Sequence, residues 1–130
     1  MDQCHHCLIC LGSNYQGIWH LKNAEKEIGK ISLHVYWGQI IKTEAENTDT
    51  TVPYFNRAAS LYTSLNKELL IKTFKSIECR HGRTFSSKQN GIIPLDIDLL
   101  IYDNEIVKPT DLKKKYVQQA LQSVPTDGII

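Results

Sequence analysis

Apolar positions along this chain recur in two periods, and each change of period marks an element. Cys7-Leu8-Ile9-Cys10-Leu11 is a short apolar run ended by Gly12-Ser13-Asn14, which reads as a buried strand leaving through a tight turn. From Ile18 to Ile28 the apolar residues Ile18, Leu21, Ala24 and Ile28 fall at helical spacing, and Gly29 supplies a stop. Leu33 to Ile41 is rich in Val, Tyr, Trp and Ile and predicts a second strand. Residues 42–53 are polar, Thr-rich and aperiodic, a loop long enough to suggest a role. Phe55 to Leu65 alternates again: Phe55, Ala59, Leu61 and Leu65 against Asn56, Ser60, Tyr62 and Ser64, with Arg57 interrupting. Asn66 is a good N-cap for a second helix, with Leu65 and Leu70 placed to staple its start. That helix presents Leu69, Leu70, Thr73, Phe74 and Ile77 and ends near His81-Gly82. Residues 83–90 read as a second polar loop.

The next stretch, Gly91 to Tyr102, is the most apolar of the chain, yet it holds Asp96 and Asp98. On a strand, residues two apart share a face. Leu95, Ile97, Leu99 and Ile101 are expected to enter the core, with Asp96, Asp98, Leu100 and Tyr102 opposite. The carboxylates would lie about 7 Å apart along the strand. Two unpaired anions on a central strand are costly. A divalent cation removes that cost, and Mg²⁺ is usually held by one or two carboxylates plus substrate phosphates. The other reading is an edge strand with an acidic solvent face, and these residues alone leave the two level. Asp103-Asn104 is a turn signal, Glu105-Ile106-Val107 a short returning strand, and Lys113 to Val124 a last helix with Tyr116, Val117, Ala120, Leu121 and Val124 apolar. The end, Pro125 to Gly128, is expected to fray.

The resulting order, β-α-β-β-α-β, is that of a ferredoxin-like α+β fold: an antiparallel sheet with both helices on one face, plus a short C-terminal helix. The other face is expected to be open, flanked by loops 42–53 and 83–90. A length of 130 residues makes 1–130 one expected domain. The net charge of +1 gives no bulk attraction to nucleic acid or to an anionic membrane, so neither is an expected partner. No apolar run approaches a membrane span, and Met1-Asp2-Gln3-Cys4 has neither a basic start nor a long apolar segment. Cys4, Cys7, Cys10 and Cys79 make no disulfide framework, which fits a reducing cytoplasm.

Other constellations each carry a chemical and a structural reading. Gly12-Ser13-Asn14 before a helix could expose N–H groups to an anion, though a plain turn is commoner. Arg83 and Lys88, just past the second helix, are placed to meet polyphosphate; cations at a helix C-terminus are the simpler reading. Pro53-Tyr54-Phe55-Asn56 pairs an aromatic with an amide, suited to stacking on a flat heterocycle and reading its edge, or merely starts a strand. Cys4-His5-His6-Cys7 with Cys10 offers zinc ligands, but lacks the second knuckle that a structural site wants, so a reduced N-terminus is the expectation. His34 and His81 stand singly and are expected to be structural.

Four of these motifs together resemble 6-hydroxymethyl-7,8-dihydropterin pyrophosphokinase of folate biosynthesis. They are Leu11-Gly12-Ser13-Asn14, Tyr54-Phe55-Asn56-Arg57-Ala58-Ala59, Ile77-Glu78 with Gly82-Arg83, and Gly91 with Leu95-Asp96-Ile97-Asp98-Leu99-Leu100-Ile101-Tyr102, in the family's order over about residues 8 to 107. The resemblance implies the same ferredoxin-like fold and a transfer of pyrophosphate from ATP to the pterin's hydroxymethyl oxygen, releasing AMP. It implies that Asp96 and Asp98 hold two Mg²⁺ ions and, with Arg83, form the catalytic set. Thr43, Tyr54, Asn56 and Tyr116 would contact the pterin, and Glu78, Arg83 and Lys88 the nucleotide. A monomer or weak dimer is expected. The chain departs from the family pattern at Ile93, where a phosphate-binding arginine is expected, at Asn90 in place of an aromatic, and after Val107, where a Pro-His segment with a following arginine is replaced by Pro109 to Tyr116. These departures set a second expectation beside the first: a pterin-binding module that has lost catalysis.

Overall fold

The computed structural model describes residues 4–43 and 53–125. The readings for most of loop 42–53, for Met1-Asp2-Gln3 and for Thr126 to Gly128 therefore lie outside the described residues.

The first apolar run, Cys7 to Leu11, lies in the central strand β1 (His5–Ser13). It pairs antiparallel with β4 (Tyr54–Thr63) on one side and β5 (Asp96–Tyr102) on the other. β2 (His34–Trp37) and β3 (Ile41–Thr43) both pair with β4, and β6 (Glu105–Ile106) pairs with the end of β5. The order β2-β4-β1-β5-β6, all antiparallel, is the ferredoxin-like arrangement the periodicity predicts. α1 (Gly17–Lys30) and α2 (Lys67–Arg80) cover one face. There Cys7, Ile9 and Leu11 of β1 meet Leu21, Ala24 and Ile28 of α1 and Leu70, Phe74 and Ile77 of α2. Each Leu, Ile or Phe so buried contributes about 1.5–3 kcal/mol, which makes this layer the main source of stability. Asn66 caps α2 as expected, accepting a hydrogen bond from the Leu69 N–H at 2.8 Å. Among the described residues, no helix is long and apolar enough to cross a membrane.

The structure corrects the sequence reading in five places. The strict alternation of β5 fails at its end: the β1–β5 register shifts between Leu8 and Ile9, so Leu100 is an extra residue on β5. That bulge turns Ile101 toward the second face and Tyr102 into the helix-side core, the reverse of the expectation. The predicted second strand is two strands, broken at Gly38, where a Cβ would lie 2.5 Å from Ser123 Oγ. Residues 83–90 are not a plain loop: α3 (Phe85–Gln89) forms there, held by a Thr84–Ser87 capping box. The last helix is shorter than predicted, α5 (Lys115–Gln122), and is preceded by the single turn α4 (Pro109–Leu112). Finally, the second face is not fully open. Val117 and Ala120 of α5, with Val124, bury against Cys10, Ala58 and Leu100.

Candidate active site

β5 carries Asp96 and Asp98 opposite Gly12 and Cys10 of β1. Alternation puts both carboxylates on the face that α5 only partly covers. β6 reaches only Ile101 and Tyr102, so among the described residues no strand continues the sheet beyond Asp96 to Leu99. The two aspartates therefore stand where two clefts meet. The first, about 280 Å³, is lined by Gly12, Thr43, Tyr54, Asn56, Ile93, Lys114 and Tyr116, together with Cys10 and Val117. The second, about 270 Å³, runs along the edge of β5 between Ile71, Phe74, Lys75, Glu78, Arg83 and Lys108. Asp96 and Asp98 line both.

The second cleft is stitched by charge. Arg83, just past the end of α2, places Nη1 2.5 Å from Asp96 Oδ1 and 3.2 Å from Glu78 Oε2. The same nitrogen donates to the Leu95 carbonyl at 3.4 Å. Glu78 accepts the Ile97 N–H at 2.7 Å, capping the bare edge of β5. Burial pushes the Glu78 carboxyl up, against that N–H and Arg83, which act the other way. Lys108 donates to Asp98 Oδ1 at 2.7 Å.

The aspartates are a coupled pair. Burial, then the charge of Asp96, pushes the Asp98 carboxyl up to about 7. Burial acts on Asp96 in the same direction, but hydrogen bonds from Asp98 and Arg83 outweigh it and hold Asp96 below its ordinary range. Below about pH 7 the pair thus binds one proton over two carboxylates. Hard oxygen donors side by side, open to two clefts, suit a small divalent cation that brings substrate phosphates with it.

The lining of the first cleft suits a flat polar ring. Tyr54 and Tyr116 supply aromatic surface, and Asn56 donates from Nδ2 to Thr43 Oγ1 at 2.9 Å, which fixes its amide. Gly12 is needed beside it: a Cβ there would sit 2.9 Å from Asn56 Oδ1. Gly12→Ala is expected to push the Asn56 amide aside and to weaken, about tenfold or more, binding of the pterin that the motif resemblance implies, the cost of misplacing a buried polar contact. Titration calorimetry with pterin checks this, and unchanged affinity removes Asn56 from the recognition scheme.

The structure brings Thr43, Tyr54, Asn56 and Tyr116 into the first cleft, Glu78 and Arg83 into the second, and Asp96 and Asp98 into both. Lys88 is exposed on α3 and lines neither. Lys108 and Lys114 were not singled out by the sequence. Lys114 stood inside the visible Lys113-Lys114-Lys115 run, whereas Lys108 carried no local signal, since only the pairing of β6 brings it back beside Asp98. Gly12-Ser13-Asn14 is no anion turn before a helix: β1 runs through Ser13, and α1 starts after Gln16, which has a left-handed φ of 47°. Asn14 instead ties down the approach to β5, donating from Nδ2 to the Gly91 carbonyl at 2.7 Å and accepting the Ile93 N–H at 2.6 Å.

The Cys-His stretch does not converge either. His5 pairs with Asp103, His6 with Ser60, and Cys7 is buried in the core. Among the described residues, no group of three or more His, Cys, Asp or Glu could hold a metal ion. His81 is structural as expected, bonded to Glu27 and His20.

A family model described as 7,8-dihydro-6-hydroxymethylpterin-pyrophosphokinase matches residues 8–126. The match runs from β1 through α5, past the point near Val107 where the motif resemblance stops, and so includes the segment that carries Lys108, Lys114 and Tyr116.

Proposed function

The chain belongs to the 7,8-dihydro-6-hydroxymethylpterin-pyrophosphokinase family, transferases of folate biosynthesis, and from that membership we propose that it transfers pyrophosphate from ATP to 6-hydroxymethyl-7,8-dihydropterin. One observation carries the reading: a coupled carboxylate pair stands between an aromatic, amide-bearing cleft and a cationic one. In this reading the pterin lies against Tyr54 and Tyr116, with Asn56 and Thr43 at its edge. Its hydroxymethyl group points to Asp96 and Asp98. The nucleotide lies in the second cleft, its phosphates toward Arg83.

The hydroxymethyl oxygen attacks the β-phosphorus, the bond from that phosphorus to the α,β-bridging oxygen breaks, AMP leaves with that oxygen, and the hydroxyl proton passes to solvent. Asp96 and Asp98 would hold Mg²⁺, two ions by the family resemblance, and the bound metal would neutralise phosphate charge. The protein's part is positioning and fixed charge, which is most of what such transfers require. Arg83, held by three acceptors, keeps a guanidinium fixed beside the transferring group, and fixed charge of that kind is effective because it needs no reorganisation.

Ile93 in the first cleft favours a second reading, the pterin-binding module without catalysis, because an apolar side chain stands where a phosphate-binding arginine is expected. The two separate cleanly. Purified protein with Mg-ATP and the dihydropterin is expected to form AMP and the pyrophosphorylated pterin in equal amounts. No AMP above a D96A/D98A control overturns the enzyme. Pterin binding without binding of a non-hydrolysable ATP analogue then leaves the module, and binding of neither overturns both.

A further inference from the structure

Arg83 and Lys108 neutralise the aspartate pair in different ways. Arg83 is locked: one nitrogen meets Asp96, Glu78 and the Leu95 carbonyl, and the side chain is three-quarters buried. Among the described residues Lys108 makes one side-chain bond, to Asp98, and its side chain is 44% exposed. Its backbone is nevertheless anchored. The Lys108 N–H reaches the Leu100 carbonyl at 3.3 Å and the Val107 N–H the same carbonyl at 2.8 Å, at the β5 bulge. A fixed base, a flexible stem and a single exchangeable contact make a cation that can change partner. Lys108 also lines the second cleft, with Glu78 and Arg83, while Ile93 stands in the first cleft where a charge is expected.

We propose that Lys108 is a phosphate-binding residue that occupies Asp98 in the free protein and exchanges that carboxylate for the nucleotide's phosphates when Asp96 and Asp98 take up a divalent cation. It thereby adds a second positive charge to that of Arg83 in the second cleft. The inference rests on the pyrophosphokinase reading and adds to it a residue that no motif names. It has a two-signed consequence. Without nucleotide, the Lys108 ammonium competes with a metal ion for Asp98, so removing it favours the metal. With nucleotide, the same ammonium is an attractive partner, so removing it weakens binding.

The test is calorimetry on wild type, Lys108→Ala and Lys108→Arg, with Mn²⁺ alone and then with Mg²⁺ plus a non-hydrolysable ATP analogue. Lys108→Ala is expected to bind Mn²⁺ several-fold more tightly than wild type and the analogue about tenfold more weakly, the usual scale for one charge-assisted phosphate contact, with Lys108→Arg recovering most of the loss. Pterin affinity is expected to stay within about twofold, since Lys108 does not line the first cleft. A purely structural role would lower both affinities together, and that result overturns the proposal. So does analogue binding by Lys108→Ala equal to that of a wild type that binds it. A wild type that binds no analogue overturns the pyrophosphokinase reading and this proposal with it.

Discussion

Asp98→Asn is expected to abolish turnover while leaving the free protein as stable as wild type or more so. Asparagine keeps the shape of the side chain and removes the charge on which cation binding depends. Losing a charged ligand at the centre of a phosphoryl transfer costs about 4 kcal/mol or more in the transition state, about a thousandfold in rate. Stability moves the other way. Asp98 is pushed up to about 7 by burial and by Asp96, so above that pH its ionised form is held at a cost in the folded state. The amide does not carry that cost. Its lost bond to a half-exposed lysine is worth little in return. The check is an AMP assay beside thermal melts at pH 8. A fall in turnover below tenfold removes Asp98 from the site. A clear drop in melting temperature makes its charge structural, and the pair would then be an ordinary buried network.

What made Asp96 and Asp98 legible in the sequence was a conflict: two charges in the most apolar run. The strand period settled their shared face, because nothing interrupts alternation between Leu95 and Leu99. It could not settle Ile101 and Tyr102. The bulge that swaps them arises from pairing with β1, and pairing is a long-range fact absent from the local pattern. The same holds at Gly38, whose break in the edge strand is set by Ser123 and Val124 eighty residues on. The capping box of α3 was readable, since Thr84 and Ser87 stand three apart, but with Ser in place of Glu the signal was faint. Tyr54 and Asn56 were singled out because they sit in a motif. Lys108 was not, because a lone lysine after a two-residue strand looks like any solvated cation. Only β6 turning back along β5 brings it to Asp98. Sequence therefore read those parts of the site that were chemically odd or clustered, and missed the part made by one common residue arriving from far along the chain.

Affinity for Mg²⁺ is expected to rise about tenfold per pH unit between pH 5 and 7 and to level off above, because one proton must leave the aspartate pair before a cation can use both carboxylates. The sign follows from the pair itself. Asp96 is held ionised, so the proton resides with Asp98, whose carboxyl is pushed up to about 7. Below that pH the proton competes with the metal, and above it there is nothing left to displace. Folding stability reads the same proton in the opposite sense. The folded-state pKa of Asp98 is raised above its ordinary 3.8, so its contribution is complete below that value and is lost as pH rises to about 7. The free protein thus gives up stability across the window in which it gains metal affinity. Calorimetry in two buffers of different ionisation enthalpy counts the proton released on Mg²⁺ binding, expected near one at pH 6 and near none at pH 8.5. His20 is also held below its ordinary value, by burial and by His81. Asp98→Asn isolates the effect, since the proton count and the fall in stability disappear together if they belong to that carboxyl. Metal affinity that stays flat from pH 5 to 7 would place the cation elsewhere and leave Asp96 and Asp98 as a pair neutralised by Arg83 and Lys108 alone.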